Sequence, residues 1–319
     1  MMKRLCSFFV LLTLLTSCEA QPHIDVVNAV VGKDISSPRL LNTKTVDSYR
    51  LEILFDERIF CKRESLSVSG ATISSISVYN HTLIVEFKTP LIAAQSYLLT
   101  GRVTDISGNS LYFETHVWGF NPNVPSLLIN EFTTKGSGNN PDRVELLALE
   151  DGNLAGVTLY DGLKDSYDSK TVLPSYEVHK GDYIVIEYSD ALRGVHNIEF
   201  WGGVVNLGSN NGVITLYDSP EGEIIDAVLY SNRTSDSDTS FGGFGTKKVH
   251  ERVLLVEQSG QWGPLPLRPE SGVDSTSSTA TRSFNRMPHA QDTNTKSDWH
   301  IVPTSKATFG EENCIEVFE

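Results

Sequence analysis

The chain has 319 residues and a formal net charge of −14, with 39% hydrophobic and 21% charged side chains. That length leaves room for two cores of ordinary size, at about 100–200 residues per domain. The acidic balance repels phosphate backbones and so argues against nucleic acid as a partner, and past residue 18 no run of about 18 apolar residues is present to cross a bilayer as a helix.

Residues 1–17 begin with the cations Lys3 and Arg4, continue through an apolar run at 5–16, and lead into Leu15-Thr16-Ser17-Cys18. A charged start, an apolar stretch and small residues form the layout of a secretory signal. Twelve residues of helix span about 18 Å, short of the roughly 30 Å hydrocarbon core, so the run does not read as a transmembrane helix. The tetrapeptide resembles the lipobox of bacterial lipoproteins. That resemblance implies cleavage between Ser17 and Cys18, acylation of Cys18 by palmitate-type chains and attachment to the cell envelope. Several chains on one residue hold durably, since each buried methylene contributes about 0.8 kcal/mol. A plain secretory signal cut near Ala20 is the competing reading. Loss of residues 1–17 would take the charge to −16, because the segment carries Lys3, Arg4 and no acid. Glu19 follows the cysteine where, in enteric bacteria, an aspartate would mark retention in the inner membrane, so the outer membrane is the expected location.

Residues 18–23 read as a short polar tether, and beyond them the chain alternates with the period of a half-buried strand. Tyr49, Leu51, Ile53 and Phe55 share one side, then Leu83, Val85 and Phe87, then Tyr97, Leu99 and Val103, and after the turn Asp105-Ile106-Ser107-Gly108-Asn109 the chain returns through Leu111, Phe113, Thr115 and Val117. Several short strands at this spacing predict a β-sandwich. In the turn, Asp105 can accept from amides ahead of it and Gly108 can take positive φ. The order of these strands and the D-x-x-G-N turn resemble bacterial Ig-like domains of the surface-layer type over residues 24–120. The resemblance implies a spacer or presentation module.

Residues 121–125, Asn-Pro-Asn-Val-Pro, read as a linker. Beyond them Leu127, Ile129 and Glu131 alternate, followed by Val144, Leu146 and Ala148, by Val157 and Leu159, by Tyr183, Val185 and Glu187, and by Ile214 and Leu216. The turn Asp218-Ser219-Pro220-Glu221-Gly222 then leads into Ile225, Ala227 and Leu229. In chain order, Leu128-Ile129-Asn130-Glu131-Phe132, Arg143-Val144-Glu145-Leu146, Gly156 to Asp161, Gly181 to Ile186, Asn211 to Asp218 and Gly222 to Tyr230 resemble the lamin-tail domain. Thr281-Arg282-Ser283-Phe284-Asn285-Arg286, with Asp292-Thr293, Asp298-Trp299, Pro303-Thr304 and Gly310, resembles its bacterial closing motif. The match runs over residues 126–311, leaves 312–319 as a C-terminal tail, and implies a compact Ig-like sandwich used as a binding or accessory module. An insertion at 233–280 interrupts it. Within that insertion, residues 247–257 are expected to form one short helix, with Val249, Val253 and Val256 on one face. The insertion reads either as a partner-binding lobe, as a neutral excursion or as a cap folded back on the sandwich.

The fold expected is therefore all-β: two tandem Ig-like sandwiches after a lipoprotein signal, with one short helix. No catalytic constellation is legible. The Gly-x-Ser-x-Gly elbow is absent, and the glycine and serine cluster at residues 136–140 reads as a loop. His23, His81, His116, His179, His196, His250, His289 and His300 are scattered without metal-ligand spacing and read as surface residues. Asp161, Asp165 and Asp168, and Asp236 and Asp238, offer hard oxygen donors for calcium, but the glycine pivot and bidentate acid of an EF-hand are missing. Glu131 and Glu145, on neighbouring strands, read as residues of a polar face rather than an acid and base pair. Cys61 and Cys314 are the two thiols left after the signal and its cysteine, either bridged, as an oxidising compartment permits, or unpaired. The function this implies is a lipid-anchored, non-enzymatic envelope protein without a cofactor or metal site. It would hold the membrane through acyl chains on Cys18 and a protein or glycan ligand through the second domain. The alternative is an envelope-polymer hydrolase with its site on the insertion.

Overall fold

The computed structural model describes residues 34–189, 199–201, 207–232, 240–288 and 292–319. Ser17 and Cys18 lie outside these residues, as do His23, His196, His289, Asp236 and Asp238. The described chain is all-β with one α-helix, and it divides into two compact units, residues 34–90 with Tyr97–Val117 and Leu91–Ser96 with the described residues from Trp118 on.

The first unit contains β1 (Leu40–Asp47), β2 (Arg50–Phe55), β3 (Leu66–Val68), β4 (Ile73–Tyr79), β5 (Thr82–Phe87), β6 (Ser96–Thr104) and β7 (Ser110–Trp118). Two sheets form, in the orders β1-β2-β5-β4 and β3-β6-β7. The expected alternation is present: Leu51, Ile53 and Phe55 of β2, Leu83, Val85 and Phe87 of β5, and Tyr97, Leu99 and Val103 of β6 are buried. Phe55 of one sheet meets Phe113 of the other edge to face at 5.8 Å. Tyr49 departs from the expectation, because it falls in the tight turn between β1 and β2 and is 49% exposed. The turn before β7 closes as its residues require, with Asn109 N donating to Asp105 Oδ1 at 2.8 Å and Gly108 at φ 88°.

The second unit contains β8 (Leu127–Thr133), β9 (Asp142–Ala148), β10 (Gly152–Asn153), β11 (Thr158–Leu163), β12 (Ser166–Val172), β13 (Glu177–Val178), β14 (Tyr183–Tyr188), β15 (Glu199–Trp201), β16 (Gly212–Tyr217), β17 (Ile224–Ser231), α1 (Lys247–Ser259), β18 (Val273–Asp274), β19 (Phe284–Arg286) and β20 (Trp299–Ile301). A six-stranded sheet runs β15-β14-β9-β8-β19-β20 and a five-stranded sheet β12-β11-β16-β17-β18, with β10 and β13 as a separate pair. Leu127, Ile129, Phe132, Val144 and Leu146 from the first sheet share one core with Leu159, Val213, Leu216 and Val228 from the second.

The helix expected at 247–257 is α1. Thr246 caps its start by accepting from Val249 N, and Gly260, at φ 71°, ends it in the left-handed conformation that glycine adopts without a Cβ clash. Val253 and Val256 are buried in the same core, with Val249 partly buried against it. Trp262, 2% exposed, lies just past the helix and donates its indole N–H to Ser271 O at 2.9 Å. Because α1 packs on β11, β16 and β17, all six residues of β11 and of β16 are buried. The described part of the insertion is thus core material rather than a surface excursion. Strands covered on both faces lose the alternation that a one-sided strand keeps.

Candidate functional site

Polar chemistry in the second unit concentrates on the face of the six-stranded sheet turned away from the apolar core. β8 carries a bulge between Ile129 and Glu131 opposite β9. One extra residue reverses the side-chain parity of everything beyond it. Leu127 and Ile129 before the bulge and Phe132 after it therefore all enter the core, while Glu131 is turned to the other face, directly opposite Glu145 of β9. The pair sits on a polar face as read, but that face is covered rather than solvated. Both glutamates are 0% exposed, because residues 308–313 lie across them. Thr308 donates its N–H to Glu131 at 3.0 Å and its hydroxyl at 2.9 Å. Gly310 N–H donates to Glu145, and Asn130, the bulged residue, donates to the same carboxylate at 2.7 Å. Asn313, buried in the stretch read as a tail, donates to the carbonyls of Asn130 at 3.0 Å and Arg286 at 2.7 Å. Burial pushes Glu131 up to about 7, and burial together with the facing carboxylate pushes Glu145 up to about 8.

Beside them Arg143 of β9 pairs with Glu187, its register partner on β14, at 2.9 Å, and its guanidinium lies 5.5 Å from the Phe309 ring. A second centre gathers the closing-motif residues. Arg286, 4% exposed, pairs with Asp226 at 2.9 Å and Asp292 at 2.8 Å, donates through Nε to Ile129 O at 2.9 Å, and stacks 4.8 Å from the Trp299 ring. Asp226, 1% exposed, also accepts from Ile129 N at 2.7 Å and Ala227 N at 2.8 Å. Complete burial outweighs Arg286 and raises Asp226 to about 6. Asp226 belongs to β17 and Arg286 to β19, so this cluster ties the two sheets together.

The acids Asp161, Asp165 and Asp168 do not share one solvated loop. Asp161 is a buried strand residue, and Asp168 on β12 is held by Arg252 Nη1 at 2.9 Å and Lys248 Nζ at 2.7 Å, both from α1. Partial burial acts to raise Asp168, but the two cations hold its carboxyl below the ordinary aspartate range. Elsewhere Asp34, Glu57 and Asp105 bring carboxylate oxygens within 4.8 Å of one another, with Asp105 engaged by the Asn109 turn and Asp34 by Ser36. The loop at residues 136–140 is a tight hairpin, Ser137 N donating to Asn140 O at 2.7 Å. His300 departs from the surface reading: it is buried and Nε2 donates to Cys314 O at 2.7 Å. Cys61 and Cys314 form no disulfide among the described residues.

On the insertion, most of the described titratable side chains have a local task. Lys248 and Arg252 hold Asp168, Lys247 pairs with Glu251 at 3.5 Å, Glu257 accepts from Leu267 N at 3.0 Å, and His250 stacks on Phe244. Two cavities among the described residues of this unit, of about 540 Å³ beside Trp299 and His300 and about 210 Å³ beside Arg143, are lined by neither Glu131, Glu145, Asp226 nor Arg286.

These features define an all-β protein whose second unit is a two-sheet core with a covered ionic outer face. A family model named TP_1001_2nd, described as a protein second domain, matches residues 125–199 and 197–301. That is more than half of the chain, and the chain belongs to this family. No curated protein matches the chain. Among solved structures, the N-terminal part of the bacterial S-layer protein SbsC is similar at 14% identity and a TM-score of 0.27, over 66% of this chain and 47% of that one. The chain thus spans about half the length of that structure.

Proposed function

We propose that this protein is a lipid-anchored component of the bacterial cell envelope, held through acyl chains on Cys18 and non-catalytic, with the second unit acting as a lamin-tail type binding or structural module. The anchor rests on the run from Lys3 and Arg4 through Leu15-Thr16-Ser17-Cys18. One observation carries the non-catalytic reading: the buried ionisable groups of the second unit are engaged in joining segments of chain. Glu131 and Glu145 hold residues 308–310, Arg286 joins β19 to β17, and Asp168 holds α1. Groups committed in this way lack the access to a substrate proton that acid and base catalysis needs. Attachment at the outer membrane, with a protein or glycan as the ligand, completes the proposal.

Growth on labelled palmitate tests the anchor. The wild-type protein should carry label and fractionate with the outer membrane, and Cys18→Ala should lose the label and leave the membrane fraction. A labelled Cys18→Ala protein would refute the anchor.

A further inference from the structure

The first unit carries a polar surface built differently from that of the second. Residues 58–62 come after β2 and run beside β6, where Phe60 N donates to Thr104 O at 2.7 Å and Thr104 N to Phe60 O at 3.0 Å. Alternation from this bridge sends Ile59, 1% exposed, and Val103, 0% exposed, into the core. It turns Phe60 and Lys62 outward from one segment and Arg102 and Thr104 outward from the other. These four, with Cys61 and Ser65, line a cavity of about 590 Å³.

Lys62 and Arg102 therefore both line this cavity. Like charges gathered at one place are destabilising unless a counter-charge joins them. Among the described residues no carboxylate lies within 4 Å of Lys62, Arg102 or Arg58, in a chain whose formal charge is −14. The cations are instead braced on rings and a hydroxyl. Arg102 Nη2 donates to Ser110 Oγ at 3.0 Å and its guanidinium lies 6.0 Å from the Tyr112 ring centre, while Arg58 lies 5.6 Å from that of Phe60. Both rings are open to solvent, Phe60 at 47% and Tyr112 at 79% exposure.

We propose that this cavity binds an anionic saccharide, with its carboxylate or phosphate between Lys62 and Arg102 and a ring face against Phe60. Charge-assisted bonds from an arginine and a lysine are what either anion takes, and an exposed aromatic face suits the apolar side of a sugar ring. The hydroxyls of Ser65 and Thr104 face the same space, available to sugar hydroxyls. The volume falls in the range of about 300–1,000 Å³ usual for small-ligand sites. Cys61 serves as wall, since burial pushes its thiol up to about 11 and keeps it protonated. The site goes beyond the anchoring proposal and needs no acyl chain, so failure of either leaves the other standing.

Calorimetric titration of the full chain in detergent micelles tests it, with digalacturonate, glucose 6-phosphate, lactose and a capped diglutamate peptide as probes. At least one acidic sugar should bind saturably, and which of the two does so tells carboxylate from phosphate. Lactose should not bind. Affinity should fall about tenfold or more in Lys62→Gln and in Arg102→Gln, the loss expected for a charge-assisted bond. It should also fall in Phe60→Ala and hold in the control Lys88→Gln. No saturable binding by either acidic sugar, wild-type affinity in both Lys62→Gln and Arg102→Gln, or equal binding of lactose would overturn the proposal. Stronger binding of the diglutamate peptide would also overturn it, in favour of an acidic polypeptide.

Discussion

The two units solve the same problem, a β core, with opposite treatment of charge. In the first, each strand buries one side, and an ion pair such as Arg39 with Asp56, at 2.7 Å, stays at the surface with side chains 58% and 22% exposed. In the second, α1 covers the outer side of β11, β16 and β17, and residues 308–313 cover the outer side of β8 and β9. Side chains that a bare sheet would show to water become interior there, Glu131 and Glu145 among them, and Arg286 with Asp226 is held between the two sheets. Chain drawn from far along the sequence is what converts a surface charge into a structural one. The cost of removing a charge should therefore differ sharply between the units.

The largest effect should come from Arg286→Ala. It leaves Asp226 buried without its counter-charge, a loss of about 3–5 kcal/mol for a broken buried pair. Three of the four tryptophans, Trp201, Trp262 and Trp299, belong to the second unit and the fourth, Trp118, ends β7 at the boundary, so urea unfolding monitored by tryptophan fluorescence reads mainly the second unit. The midpoint should drop steeply, and much of it should return when Asp226→Leu is added to Arg286→Met, since a well-packed apolar pair replaces a buried ionic one at little cost. A small shift for Arg286→Ala would mean that the second unit holds its charges no more tightly than the first.

Legibility in the sequence divides along the same line. In the first unit, alternation at Leu51, Ile53 and Phe55, the Asp105 turn and the sandwich class could be read directly, because one face of each strand meets water. In the second, the strands, the Asp218 to Gly222 hairpin and α1 were legible from periodicity and turn residues. The bulge at Asn130 was not, and it alone decides which way Glu131 turns. Nor were the covers: Asp168 reads as a loop acid until Arg252, 84 residues away, reaches it. Asp226, Arg286, Asp292 and Asp298 stood in the motifs but gave no sign of converging, since Asp226 and Arg286 lie 60 residues apart. That Lys62 and Arg102 line one cavity likewise needed the bridge at Phe60, which no local pattern announces.

An intermediate effect should appear with pH. Glu131 and Glu145 hold their protons to about 7 and about 8 in the folded chain, against 4.5 as the ordinary value. The folded state then binds protons that the unfolded chain has released, so stability from this pair is full below the ordinary glutamate range and is lost as pH rises toward 8. Asp142, Asp161 and Asp226 act in the same sense only up to about 6, which leaves the interval from about pH 6.5 to 8 to the glutamates. Facing them are Arg143 and Glu187, with Tyr183 of β14 and Glu312 beyond. The fluorescence-detected midpoint should fall across that interval in the wild type and fall less in Glu145→Gln. A wild-type midpoint that rises, or an unchanged slope in the variant, would show that the pair is not what titrates.

The smallest effect should be Arg39→Ala in the first unit, roughly 0–1 kcal/mol as for exposed pairs generally. Only Trp118, at the end of β7, reports on that unit, so far-ultraviolet circular dichroism would be needed. The pH signature should also have the opposite sign. Partial burial acts to raise Asp56, but bonds from the Arg39 N–H and guanidinium outweigh it and hold the carboxyl below its ordinary value of 3.8. A depressed carboxylate contributes stability above its unfolded pKa and loses it as pH falls through the folded one. Acidification below about pH 4 should therefore remove the small difference between Arg39→Ala and wild type, whereas acidification from 8 toward 6.5 strengthens the second unit. A difference in the first unit that grew on acidification would show that solvent does not screen Arg39 and Asp56 as their exposure requires, and the contrast between the units would fail at its exposed end.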